Sequence, residues 1–208
     1  MNIFIYGDSN TWGYVPNING YSKDAVARQY PQETIWWNRL TLKHNLTVNG
    51  VCGRAINNEN PWLKGRNATT TILSDLQGEN PDLIIVFLGT NDQKSRYNLS
   101  AQEIAQQMSM FINIIESVSD AKIMLISPAQ IKEGNKITDK FYAGAQEKGQ
   151  PLDKYYEQLA QENDYLFVSG VDLEAGEDGE HLTPVSHYTL GKRVEREIES
   201  FLQNEYQS

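Results

Sequence analysis

Residues 83–88 read Leu-Ile-Ile-Val-Phe-Leu, an unbroken apolar run closed by Gly89. A strand with one wet face alternates apolar and polar residues, whereas an unbroken run must be covered on both faces. Such cover comes from helices packed above and below a parallel sheet. Shorter apolar runs at residues 3–6, 46–49, 123–126 and 165–168 read as its other strands, with helical patterns between them. Strand–helix alternation at this spacing predicts an α/β, three-layer sandwich, and right-handed crossovers leave few topologies open to it.

The helical segments carry their own signals. Residues 31–45 show helical spacing through Ile35, Trp36, Leu40 and Leu42, and residues 69–77 and 153–163 also read as helices. Ser100 and Glu103 form a capping box ahead of the stripe Ile104, Met108, Phe111 and Ile115, which predicts a helix over 100–118. Thr183-Pro184 opens a last helix, with Val194, Ile198, Phe201 and Leu202 as its buried face. The polar stretch 130–150 reads as a long loop: a solvated surface, an active-site lid, or a subunit contact that would make the chain a homo-oligomer.

A chain of 208 residues is long enough for one domain, 1–208, with a sizeable core. The net charge of −9 argues against nucleic-acid or anionic-membrane partners, because phosphate binding needs a basic patch. The lone Cys52 excludes an internal disulfide and a cysteine-based zinc site. No apolar run approaches the roughly 20 residues that span a bilayer, and no basic segment leads into a signal-type stretch. A cytoplasmic location is the expectation.

The chemistry concentrates where strands end. The first strand leaves through Gly7-Asp8-Ser9, which puts a hydroxyl at the carboxyl edge of a central strand, where open α/β sheets bind ligands. A serine needs a base, an orienting acid and oxyanion donors to act as a nucleophile. Gly89-Thr90-Asn91-Asp92 ends the strongest strand, so Asn91 can point its amide over the same rim, and Gly53 lets a backbone N–H approach a substrate oxygen closely. Of three histidines, His44 reads as a surface residue at a helix end and His187 as solvent-facing or packed within the last helix. His181 lies in a polar loop three residues after Asp178. In a tight turn that spacing lets the carboxylate hold one ring nitrogen while the other faces outward, as a general base requires. Asp172 competes as the acid at longer separation, and Cys52 reads as a small buried hydrophobe.

Gly7-Asp8-Ser9, Gly53, Gly89-Thr90-Asn91-Asp92 and Asp178-Gly179-Glu180-His181 together resemble the four blocks of the SGNH hydrolases, the GDSL-type esterase/lipase superfamily. The first block, with Gly53-Arg54, is similar to the arylesterase/acyltransferase branch. The resemblance implies a flavodoxin-like fold with a five-stranded parallel sheet and no metal or cofactor. It implies Ser9 as nucleophile, His181 as base and Asp178 as its orienter, with the Ser9 and Gly53 N–H groups and the Asn91 amide as the oxyanion hole. The implied activity is a serine esterase acting on short acyl esters by hydrolysis or transfer. A carbohydrate O-deacetylase, a lysophospholipase or thioesterase, and a non-catalytic flavodoxin-like binder are the alternatives. The binder is disfavoured because no phosphate-binding loop or GxGxxG fingerprint occurs. Asp8, Asn10, Trp12 and Tyr97 are the expected substrate contacts. Trp12, Tyr14, Trp62, Tyr97, Phe141 and Tyr142 lie in segments that can line the mouth of the site. Asn10 departs from the leucine of the family name, and Glu180 from a position that is often apolar. A carboxylate there can strengthen His181 as a base or alter the leaving-group preference.

Overall fold

The computed structural model describes residues 1–22 and 26–205. Strands β1 (Asn2–Gly7), β2 (Asn45–Gly50), β3 (Leu83–Phe87), β4 (Lys122–Ile126) and β5 (Leu166–Val168) form one parallel sheet in the order β2-β1-β3-β4-β5. This is the flavodoxin-like order, whose topological switch point lies between β1 and β3. Every residue of β3 is buried, as its unbroken run requires.

Side chains alternate across the pleat and so feed two separate cores. Phe4, Tyr6, Ile84, Val86, Ile123 and Leu125 face one layer, made by helices α2 (Ala68–Asp75), α3 (Ala101–Glu116) and α5 (Gln146–Glu162). Ile3, Ile5, Leu83, Ile85, Phe87 and Met124 face the other, made by Trp36, Trp37, Leu40 and helix α6 (Pro184–Glu205). Each large side chain fully buried in these layers contributes roughly 1.5–3 kcal/mol before chain entropy is set against it. The three-layer sandwich expected from the strand–helix alternation is therefore present. Ser100 caps α3, with the reciprocal Glu103 bond also made, and Thr183 Oγ1 accepts from the N–H of Ser186 at the start of α6.

Three segments differ from their expected forms. Residues 31–45 hold two short 3-10 helices, Gln32–Thr34 and Trp36–Leu42, rather than an α-helix. Extended Ile35 separates them, and the tighter three-residue turn aligns Trp37 with Leu40 so that both reach the core. Helix α5 starts at Gln146, well before residue 153, because Gly149 and Pro151 disguise its first turns in the sequence. Gly149 is there for space: a Cβ would come within 2.8 Å of the Gln130 side chain. The stretch 130–150 is not a bare loop. It holds the short helix α4 (Thr138–Phe141), and Ile131, Tyr142 and Ala145 make a small core of their own.

Candidate active site

Strand β1 ends at Gly7, and the chain turns at once into α1 (Ser9–Trp12), a single helical turn. Asp8 caps that turn, its Oδ1 accepting the Asn10 N–H at 2.9 Å, so Ser9 becomes the first helical residue above the sheet edge. Gly7 and Gly50 let the turn fold tightly, since a Cβ on Gly7 would lie 2.1 Å from Thr11 Oγ1.

His181 arrives from a loop tied down by Asp178. Asp178 Oδ1 accepts the backbone N–H of Glu180 (3.2 Å) and His181 (3.1 Å), while Oδ2 accepts that of Asn17 (2.9 Å). Gly179, at φ +80°, packs where a Cβ would meet the Lys132 carbonyl at 2.4 Å, so the turn requires glycine. Segment 130–150 thus braces this loop from behind, and Lys132 N–H donates to Gly179 O. Asn10 clamps the loop to α1, accepting from Leu182 N–H and donating to Glu180 O.

These supports bring together the two ends of the chain. His181 Nε2 lies 2.8 Å from Ser9 Oγ, and Nδ1 lies 2.8 Å from Asp178 Oδ2. A carboxylate can only accept, so Nδ1 carries the hydrogen and Nε2 is left to accept from the Ser9 hydroxyl. The Tyr14 ring stacks on the imidazole at 4.2 Å. Burial pushes the His181 pKa down, but Glu180, the Asp178 hydrogen bond and the surrounding carboxylates outweigh it and leave the group raised. Burial also pushes Asp178 up, yet its bond to His181 holds it below the usual carboxylate range. Asp172, the competing acid, is engaged by a fork of two bonds from Arg193.

The three expected oxyanion donors share one wall. Ser9, Gly53 and Asn91 all line a cavity of about 200 Å³ beside His181, together with Tyr14, Gly20, Tyr21, Cys52, Asn60, Leu63, Lys94 and Glu180. The N–H groups of Ser9 and Gly53 find no acceptor among the described residues. Asn91 Nδ2 donates to Arg54 O at 3.0 Å and more weakly to Asp8 Oδ2 at 3.4 Å. Arg54 ties the wall together: its buried guanidinium sits over the Tyr6 ring at 3.9 Å and donates to the carbonyls of Gly7 and Asn49. A larger concavity, about 950 Å³, lies by Asp82 and Ala121 at the amino ends of β3 and β4, away from these groups.

The expected substrate contacts fall elsewhere. Asp8, Asn10, Trp12 and Tyr97 do not line the cavity. Asp8 and Asn10 are buried and spend their polar atoms on the turn and the clamp, and Tyr97 donates to Glu59 O outside the cavity. Of the six aromatics expected near the mouth, only Tyr14 lines it; Tyr142 lies beneath, donating to Glu180 Oε2. Tyr21 and Lys94 are cavity residues that the sequence reading missed. Lys94 follows Asn91 by three residues, a spacing that was the available signal, and its Nζ donates to Asn91 Oδ1 at 2.8 Å. Burial pushes the Lys94 pKa down. Cys52 is half-buried in the cavity wall rather than in the core, and burial pushes its thiol up to about 11, so it is no rival nucleophile. His187 is fully buried, its ring edge against Tyr30.

Asp178, Glu180 and His181 present nitrogen and oxygen atoms within 4.8 Å of one another. The Asp178 and His181 atoms are committed to each other and to Ser9, which leaves too few free donors to hold an ion.

A parallel sheet that delivers polar groups from the ends of β1 and β3 to its switch point is the architecture of the SGNH carboxylic ester hydrolases. The chain belongs to the GDSL-like lipase/acylhydrolase family, whose model matches residues 5–188. Among solved structures it is similar to the Mycobacterium smegmatis aryl esterase, at 23% identity and a TM-score of 0.86 over 96% of this chain and 98% of that one. It is likewise similar to Est24, a carbohydrate acetylesterase from Sinorhizobium meliloti, at 23% identity and a TM-score of 0.84 over 96% and 99%. A lipolytic G-D-S-L family member from Veillonella parvula matches at 14% identity and 0.66, over 94% and 97%. No curated protein matches the sequence. Among the described residues no helix is long and apolar enough to cross a membrane.

Proposed function

We propose that the chain is a serine esterase that removes short acyl groups from small esters through an acyl-enzyme. The observation that carries this reading is the unbroken line from Ser9 Oγ through His181 to Asp178, with both contacts at 2.8 Å. His181 Nε2 takes the Ser9 proton as Oγ attacks the ester carbonyl, and Asp178 holds the imidazolium that forms. Negative charge grows on the carbonyl oxygen, where the Ser9 and Gly53 N–H groups and the Asn91 amide stabilise it. The long Asn91–Asp8 contact is the one that a substrate oxygen displaces. His181 then protonates the departing alcohol, and water or a second alcohol releases the acyl group by the reverse path.

The small cavity favours a short acyl chain. A ring on the alcohol side, sugar or aryl, has one candidate platform: Trp62, next to cavity residue Leu63, is 71% exposed, with the Arg96 guanidinium 5.0 Å over its indole. Aromatic faces of this kind stack on sugar rings as readily as on aryl groups. The aryl esterase and carbohydrate acetylesterase relatives are named for these two leaving groups.

The deciding experiment labels the protein with a fluorophosphonate and follows p-nitrophenyl esters of rising chain length beside acetylated sugars. Covalent labelling at Ser9 and preference for acetyl over long chains are expected. A Ser9→Ala protein that still labels, or turnover of long chains only, overturns the reading. Loss of sugar acetate turnover in Trp62→Ala, with p-nitrophenyl acetate unaffected, would select the carbohydrate ester.

A further inference from the structure

Glu180 is a buried acid in the cavity wall that the reaction scheme does not use. Its two oxygens have different surroundings. Oε2 accepts the Tyr142 hydroxyl, and the Tyr21 hydroxyl is turned towards the same carboxylate although its ring is exposed. Oε1 is buried without a hydrogen-bond partner among the described residues, and it lies 3.9 Å from His181 Nδ1. An unsatisfied buried carboxylate oxygen is costly, so a residue serving only to pack would not carry one. A spacing of 3.9 Å is too long for a hydrogen bond but short for a charge interaction in a site shielded from water.

We propose that Glu180 acts as a positioning residue, a second carboxylate that with Asp178 balances the positive charge of the protonated His181 imidazole. The two acids divide the work. Asp178 orients the ring through Nδ1, and Glu180 adds charge without competing for that hydrogen. The two phenols hold its side chain in place, and the backbone clamp from Asn10 to Glu180 O fixes the residue itself. The alternative reading, contact with the leaving group, is disfavoured because Oε1 is closed off from the cavity space.

The other groups around the imidazole do not duplicate this role. Asp8, at the end of β1, adds negative charge but is pushed up to about 6 by burial. Tyr14 offers only its ring face. His187, from α6, is held down to about 4 by burial and stays uncharged above that pH. Lys94 shares the cavity wall and feels the Glu180 charge, but among the described residues no ion pair joins the two, and its Nζ donates to Asn91 Oδ1.

This inference deepens the esterase reading, because charge on His181 matters to turnover only if His181 is the base. The test therefore measures the two separately. The His181 imidazole is titrated by NMR in the wild type and in Glu180→Gln, and the pH profile of kcat/KM is recorded for both. In Glu180→Gln the NMR midpoint and the acid limb of kcat/KM are both expected to move to lower pH. Plateau kcat should fall by far less than the roughly 10^4-fold that follows loss of a triad's hydrogen-bonded acid. An NMR midpoint that stays in place overturns the proposal. A midpoint that falls while the kinetic limb stays supports the charge interaction and removes His181 as base. Should Glu180→Gln fail to fold, Glu180→Met keeps the volume without the charge and is read in the same way.

Discussion

At Asn91 both ends of one amide are engaged: Lys94 Nζ holds its oxygen, and Arg54 O takes one amide hydrogen. That leaves a single hydrogen in a fixed direction, which is how a preorganised donor differs from a flexible one. Asn91→Ala is expected to lower kcat by about 10^2 to 10^3, the usual effect of removing one oxyanion donor, with KM for p-nitrophenyl acetate little changed. In the proposed scheme the acid limb of the reaction belongs to His181. A base works only when unprotonated, and its raised pKa means that activity is lost as pH falls through a value above 6.5, the ordinary imidazole value. A kcat/KM profile half-maximal above pH 6.5 is the expected result. Ser9, Asp178 and His181 could be named as candidates from the sequence because Gly7-Asp8-Ser9 ends a strand and Asp178 stands three residues before His181. Lys94 and Tyr21 could not, because an isolated lysine or tyrosine in a polar segment reads as surface until its neighbours are known.

The helical turn α1 shows what one short element can control. Its backbone rests directly on the end of β2: a Cβ at Gly50 would sit 2.5 Å from Trp12 N and 2.9 Å from Thr11 C. Gly50→Ala must therefore push α1 outward, and Ser9 with it. A displacement of about 1 Å can cost about 10^2-fold in rate, so kcat is expected to fall far more than thermal stability. Steady-state kinetics beside a melting curve will show the split. Helices α3 and α6 were readable from their caps because capping chemistry is local. The 3-10 segment and the early start of α5 were not, since burial of Trp37 with Leu40 and the contact of Gly149 with Gln130 overrule local preference.

Across the whole molecule, buried titratable groups link stability to pH. His187 has both ring nitrogens unpartnered among the described residues, and burial holds its pKa down to about 4. The unfolded chain takes up a proton near 6.5, whereas the native state resists until about 4. The corresponding stability, roughly 3 kcal/mol, is present above pH 6.5 and lost as pH falls towards 4. Asp8 and Asp92, both pushed up to about 6 by burial, act in the opposite sense, so wild-type stability alone will hide the effect. The comparison with His187→Phe isolates it: the variant's melting temperature should gain on the wild type between pH 7 and pH 5. From the amino-acid sequence alone, the parallel sheet and its two apolar faces were already determined, because covering an unbroken strand is a local demand with one solution. The meeting of Ser9 with His181 and the shape of the cavity beside them were decided only by tertiary structure. Those contacts join residues more than 150 positions apart, and their distances depend on how every intervening layer packs.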